Sequence, residues 1–116
     1  MTILFVEQDF ARRRMVKDML AASGAVSVEV RGAADLAGAN DGGISLAVVE
    51  VESDGDGLTA IERLHQLGVV RPTIIALAQD ADLIQPSRSL GADEVLVEPV
   101  SIATLFEAIG RHLSPA

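Results

Sequence analysis

Four short apolar runs punctuate the chain: Ile3–Val6, Leu46–Val49, Ile74–Leu77 and Val95–Val97. Each is too short for a helix and is bounded by polar or turn residues, so each reads as a strand buried on both faces of a sheet. Val26–Val30 instead alternates apolar with polar residues, which predicts an edge strand with one wet face. Between the runs the apolar spacing becomes helical. Phe10–Ala22 carries Met15, Val16, Met19 and Leu20 on one side and stops before Gly24. Leu58–Leu67 groups Leu58, Ile61 and Leu64 and stops at Gly68. Ser101–Leu113 is a helix with Ser101 as its cap, a stripe of Ile102, Leu105, Phe106 and Ile109, and Pro115 beyond its end. Ala33–Ala39 reads as a weaker helix before the turn of residues 40–43. In Asp80–Leu90, Pro86 lacks the N–H that a continuous helix needs, which predicts a kink or a helix that begins late, near Pro86.

Strand and helix thus alternate five times with short connections. That order calls for one α/β domain over residues 1–116, with a mostly parallel sheet covered by helices on both faces. In such sheets ligands and chemistry lie beyond the carboxyl ends of the strands. The residues at those ends are Glu7-Gln8-Asp9, Glu50 through Gly57, Ala78-Gln79-Asp80 and Glu98-Pro99.

Composition narrows the picture. Hydrophobic residues make up 49% but aromatics only 3%, so Val, Ile, Leu and Ala must fill the core. The net charge of -8 repels nucleic-acid phosphates and anionic lipid, and neither is an expected partner. The basic cluster Arg12, Arg13, Arg14 and Lys17 reads as a solvated helix face. Without cysteine there are no disulfides or thiolate metal sites. No charged leader precedes Ile3 and no long apolar stretch occurs, so neither a signal peptide nor a membrane span is expected, and the cytoplasm is the expected location.

Five segments, in order, resemble a response-regulator receiver domain of the CheY-like superfamily: Ile3-Leu4-Phe5-Val6-Glu7-Gln8-Asp9, Leu46-Ala47-Val48-Val49-Glu50, Asp56-Gly57-Leu58, Pro72–Ala78 and Gly91–Pro99. The resemblance covers nearly the whole chain. It implies a flavodoxin-like (βα)5 fold, doubly wound around a parallel five-stranded sheet of order 2-1-3-4-5. In that family an aspartate takes phosphate from a histidine kinase. An acidic pair helps to hold Mg²⁺, a Thr or Ser and a Lys contact the phosphoryl oxygens, and an aromatic on the last strand reports the change.

Nearly every one of those positions departs here. The acceptor position holds Glu50, whose carboxylate reaches about 1.5 Å further than an aspartate's. A misplacement of about 1 Å can cost in-line attack on the order of 100-fold. The acidic pair reads Glu7 and Gln8, Ala78 stands for the hydroxyl residue, Val95 for the aromatic and Glu98 for the lysine. A phosphoryl group brings roughly two negative charges. It would meet Glu7, Glu50 and Glu98 with no cation supplied by the motif. The expectation is a degenerate pseudo-receiver in bacterial signal transduction that is not an enzyme, is not phosphorylated at the usual position, binds Mg²⁺ weakly or not at all, and acts through protein–protein contact. The expected partner is a histidine kinase, an output domain or a second copy, met through the Pro86-containing helix, the last strand and Ser101–Leu113.

Two rivals remain: a receiver still phosphorylated in a phosphorelay, at Asp54 or Asp56, and a flavodoxin-like ligand or nucleotide binder on the same fold. The acidic, glycine-free Glu7-Gln8-Asp9-Phe10 argues against a phosphate loop. Glu7, Glu50 and Glu98 are either solvated loop-margin residues or a pocket for a cation or a partner's basic side chain. The pocket would raise at least one carboxyl pKa. Glu52–Gly57 resembles the start of a calcium loop but fails on register, with Arg63 at the closing position. Glu62 and His65 have di-metal helix spacing without a second copy, and His65 and His112 lie in helical segments with no partner spacing for nucleophilic or acid–base work.

Overall fold

The computed structural model describes residues 2–22, 24, 26–36, 44–66 and 71–113. Five strands alternate with helices: β1 (Thr2–Val6), α1 (Phe10–Ala22), β2 (Val26–Val30), β3 (Leu46–Val51), α2 (Asp56–His65), β4 (Thr73–Ala78), α3 (Ile84–Leu90), β5 (Glu94–Val97) and α4 (Ile102–Leu113). Short 3₁₀ turns occupy Ala33–Asp35 and Ala81–Leu83. All pairings are parallel. The sheet order is β2-β1-β3-β4-β5, as the resemblance implies for a flavodoxin-like fold. Strand order reverses at β1, so the crevice between the ends of β1 and β3 is the topological switch point.

Period-two alternation sorts each strand's side chains between two layers. Ile3, Phe5, Leu46, Val48, Ile75 and Leu77 face α1 and α4, where Val16, Leu20, Leu105, Ala108 and Ile109 meet them. Leu4, Val6, Ala47, Val49, Val51, Ile74 and Ala76 face the other way, toward Ala60, Ile61 and Leu64 of α2. By the same alternation Glu50 falls on the α1 side of β3. The inner residues of β1, β3 and β4 are almost wholly buried, as continuous apolar runs predict.

Two boundaries and one burial differ from the sequence expectation. β5 is not buried on both faces: its residues are half-buried and Val97 is 38% exposed. An open sheet has two edges, and β5 forms the one opposite β2. Helix α2 begins at Asp56 rather than Leu58, because Gly55 takes a left-handed φ of 84° that turns the chain into the helix. The turn Ala33–Asp35 replaces the start of the helix expected over Ala33–Ala39; residues 37–43 lie outside the described residues, as do Leu67, Gly68 and Pro115.

The Pro86 anomaly resolves as a late start. A 3₁₀ turn capped by Asp80, whose Oδ1 accepts the Asp82 amide at 2.9 Å, leads into α3. Pro86 then lies in the first turn of α3, where no intrahelical N–H is needed. At α4, Ser101 Oγ accepts the Thr104 amide at 3.0 Å, the capping bond that the sequence predicts.

Candidate recognition site at the carboxyl end of the sheet

β1 delivers Glu7 to the switch point, and the Glu7 amide is held by the Val30 carbonyl of β2 at 3.1 Å. Its side chain is buried, with the residue 2% exposed. The Asp9 amide donates to the carboxylate, but Oε2 has no hydrogen-bond partner among the described residues. Burial pushes the Glu7 carboxyl from 4.5 up to about 7, against the pull of the nearby Arg12 charge and the Asp9 amide; Glu52 and Asp9 push the same way as burial.

Arg12 sits in the first turn of α1, over the end of β3. Its Nη1 lies 3.5 Å from Glu50 Oε2, and its Nη2 pairs with Glu98 Oε1. The other oxygen of Glu98 accepts the Val100 amide at 3.0 Å. Arg12 thus bridges the ends of β3 and β5. Arg13, one residue on, donates to the backbone carbonyls of Glu7 at 2.7 Å and Gln8 at 3.2 Å and packs on Phe10.

The β3–α2 loop closes the other side. Asp54 Oδ1 accepts the Asp56 amide at 3.0 Å, while its Oδ2 accepts Gln8 Nε2 at 3.1 Å. Asp56 Oδ2 accepts the Ala33 amide at 3.2 Å, tying the start of α2 to the segment after β2. Gly57 is required by contact: a Cβ there would stand 2.2 Å from the Glu50 carbonyl oxygen. Between these elements lies a cavity of about 10 Å³, lined by Glu7, Gln8, Arg31, Glu50, Glu52, Asp54 and Asp56 together with Val6 and Gly57.

Several sequence expectations change at this point. Glu7 and Glu50 do share a cavity, and Glu7 is no solvated margin residue. Glu98 does not line that cavity; it is drawn to the far side of Arg12. The arginine cluster is not a uniformly solvated face, since only Arg14 of the three is fully exposed. The acidic end therefore has a cation after all, supplied by helix α1 rather than by a strand-end motif. A carboxyl pKa is raised, as a pocket requires, yet burial is the leading cause rather than crowding by Glu50 and Glu98. Ala78 is wholly buried in the β4 ladder, and Val95 is half-buried against the core cluster that includes Ala60, Ile61 and Leu64 of α2. Neither brings a polar atom to the site.

Glu52 was also missed. Both omissions have a readable signal: Arg12 falls one helical turn after Asp9, and Glu52 follows the last strand residue of β3. Among the described residues no group of three or more His, Asp or Glu side chains is placed to hold a metal ion. Gln8 turns its donor toward Asp54, and Glu50 faces Arg12, so the residues at the acidic-pair and acceptor positions do not form the oxygen set that Mg²⁺ demands.

No protein-family model matches the chain, and no curated protein is similar to it in sequence. Solved structures are similar in fold. The receiver domain protein (CheY-like) of Methanospirillum hungatei superposes with a TM-score of 0.83 at 24% identity, over 95% of this chain and 90% of that one. The chemotaxis response regulator CheY4 of Vibrio cholerae gives 0.85 at 20% identity, over 97% and 98%. The signal receiver domain of a signal transduction histidine kinase from Syntrophus aciditrophicus gives 0.84 at 22%, over 97% and 89%. The chain has the fold of these receiver domains.

Proposed function

We propose that this chain is an atypical receiver, a pseudo-receiver that signals by binding another protein and is not phosphorylated at the usual position. The observation that carries the reading is the bridge from Arg12 to Glu50 and Glu98. At the acceptor position the carboxylate is a glutamate already facing a guanidinium, and that guanidinium is shared with a second acid. An incoming phosphoryl group would add roughly two negative charges beside Glu7 and Glu50, where Arg12 is already paired with two acids and Arg31 is the cation lining the cavity. Mg²⁺ binding is weak or absent in this reading, because Glu50 faces Arg12 while Asp54 and Asp56 are held by Gln8 and by backbone amides.

The rival acceptors are poorly placed. Both oxygens of Asp54 accept hydrogen bonds, and Asp56 holds the Ala33 amide. Phosphorylation of either would break the contacts that seat the β3–α2 loop. The test is incubation with a small-molecule phosphodonor and Mg²⁺, followed by intact-mass measurement. No mass change is expected; an adduct of one phosphoryl unit mapped to Glu50, Asp54 or Asp56 would overturn the reading.

The protein works in the cytoplasm as a non-enzymatic module whose partner is a histidine kinase or an output domain. The surface assigned to partners, a second copy included, is the face of α3, β5 and α4. Its support is the exposed edge of β5, with Val97 open to solvent. Light scattering at micromolar concentration should report a dimer, and a clean monomer would remove self-association from the proposal.

A further inference from the structure

The cavity between the ends of β1 and β3 is small, anionic and underbonded. Its volume of about 10 Å³ admits one water-sized group. Among the described residues two carboxylate oxygens of the lining are buried without a hydrogen-bond donor: Glu7 Oε2, and Glu50 Oε2, which has the Arg12 guanidinium at 3.5 Å as its charged neighbour. Glu7 is more than nine-tenths buried, so bulk water does not solvate that oxygen. Leaving a buried acceptor unmet costs about 1–3 kcal/mol, and more for a charged one. The site is therefore set to take a hydrogen-bond donor.

Charge and geometry select the kind of donor. Five carboxylates line the cavity, from Glu7, Glu50, Glu52, Asp54 and Asp56, against the one guanidinium of Arg31. Arg12 reaches Glu50 at 3.5 Å but is shared with Glu98. An anion is excluded and a cation favoured. Mg²⁺ takes six oxygens in a near-ideal octahedron and keeps several of its waters, a shell larger than a space for one water-sized group. Asp54 and Asp56 are committed to Gln8 and to backbone amides, and among the described residues no three acidic side chains are placed for a metal. A guanidinium is planar and several times larger than the space. An ammonium is compact, carries three donors and has the bulk of a water molecule.

We infer that this cavity is a binding site for a primary ammonium group, which donates to Glu7 Oε2 among the carboxylates of the lining. A lysine side chain of a partner protein and a small free alkylamine offer the same chemistry. The inference rests on the reading of this end as a recognition site rather than a phosphorylation site. In that reading a partner's lysine reaches in past Gln8 and the β3–α2 loop.

The experiment follows the side-chain carboxyl carbons of Glu7 and Glu50 by NMR at pH 8, in an amine-free buffer at constant ionic strength. Methylammonium chloride should shift both resonances saturably, with a midpoint on the order of 1–10 mM. Tetramethylammonium, equal in charge but without N–H donors, should not. Glu7→Gln should weaken the methylammonium midpoint at least tenfold, and Glu52→Gln, at the rim of the charge cluster, two- to threefold. A lysine amide acetylated on its α-nitrogen forms the second arm. Binding at a midpoint equal to or below that of methylammonium supports a partner's lysine as the source, and weaker binding supports a free amine. Equal responses to methylammonium and tetramethylammonium, no response to either, or tighter saturation by MgCl₂ would overturn the site. Intact-mass measurement on the same sample after phosphodonor treatment separates the two failures: no adduct leaves the proposed function standing without the ammonium site, and an adduct removes both.

Discussion

Replacing Glu7 by Gln should leave stability almost unchanged in acid and raise it in alkali. The folded protein holds the Glu7 proton more tightly than the unfolded chain does, because burial moves the carboxyl from 4.5 to about 7. Below pH 4.5 both states carry the proton, and the stabilising contribution of the protonated side chain is fully present. It is lost as the pH rises through 7, where the folded state must ionise a buried carboxyl with one unpartnered oxygen. The interval between the two values corresponds to about 3 kcal/mol. Gln matches the shape of the protonated acid and does not titrate. At pH 4 the two proteins should agree within about 0.5 kcal/mol. At pH 8.5 the Glu7→Gln variant should be more stable by about 3 kcal/mol, on the order of 10 °C in Tm. Urea unfolding in amine-free buffers from pH 4 to 9 measures both. A stability difference that stays flat across that range, or a variant weaker than the parent at pH 8.5, would refute the assignment of Glu7 as a desolvated carboxyl.

Other elements make separate predictions. Gly57→Ala should cost about 3 kcal/mol in urea unfolding, because its Cβ would lie 2.2 Å from the Glu50 carbonyl oxygen and 2.8 Å from Val51 Cα, both backbone atoms of a central strand. Asp93→Ala should cost about 1–3 kcal/mol at neutral pH, since it strands the Ile74 amide, held at 2.8 Å, and breaks the pair with Arg71 at 3.1 and 3.2 Å. That difference should shrink in acid. Burial alone would raise the Asp93 pKa, but the Arg71 and Ile74 hydrogen bonds hold it below its ordinary value, so its contribution is lost as the pH falls through that lowered value. Ser101→Ala should cost about 1 kcal/mol through the lost cap on Thr104, with hydrogen exchange speeding up first in α4.

The fold was legible because its signals are local and periodic. Runs of three or four apolar residues located β1, β3 and β4, and the alternation at Val26–Val30 correctly placed β2 at an edge. The same run rule misjudged Val95–Val97, because a short apolar run is also found in an edge strand that has lost one neighbour. Pro86 was informative on its own, since a missing N–H has few places to go. The start of α2 was misplaced by two residues because the deciding feature is the left-handed backbone of Gly55, which hydrophobic spacing does not encode.

The site was legible by position but not by charge. Glu7, Gln8, Glu50, Ala78 and Glu98 fall at the carboxyl ends, where alternation and topology put them. What the linear sequence hides is which helix face reaches those ends. Arg12 lies 38 residues from Glu50 and 86 from Glu98, and only the crossover from β1 through α1 brings it between them. Counting Glu7, Glu50 and Glu98 alone therefore gives three acids and no base, when the folded protein sets Arg12 between two of them.

The pairing of Arg12 supports the proposed reading. A lysine projecting from the end of β5 would stand free to meet an incoming phosphoryl oxygen. Arg12 is instead fixed from α1 by two carboxylates, and freeing it would leave Glu50 and Glu98 without their shared charge partner. Its position also draws Glu98 away from the cavity and leaves Glu7 beside Glu52, Asp54 and Asp56, where Arg31 is the one lining cation. The cation is thus spent on holding strand ends together, and the adjoining space is left anionic. In the proposed reading that anionic space suits a positively charged group.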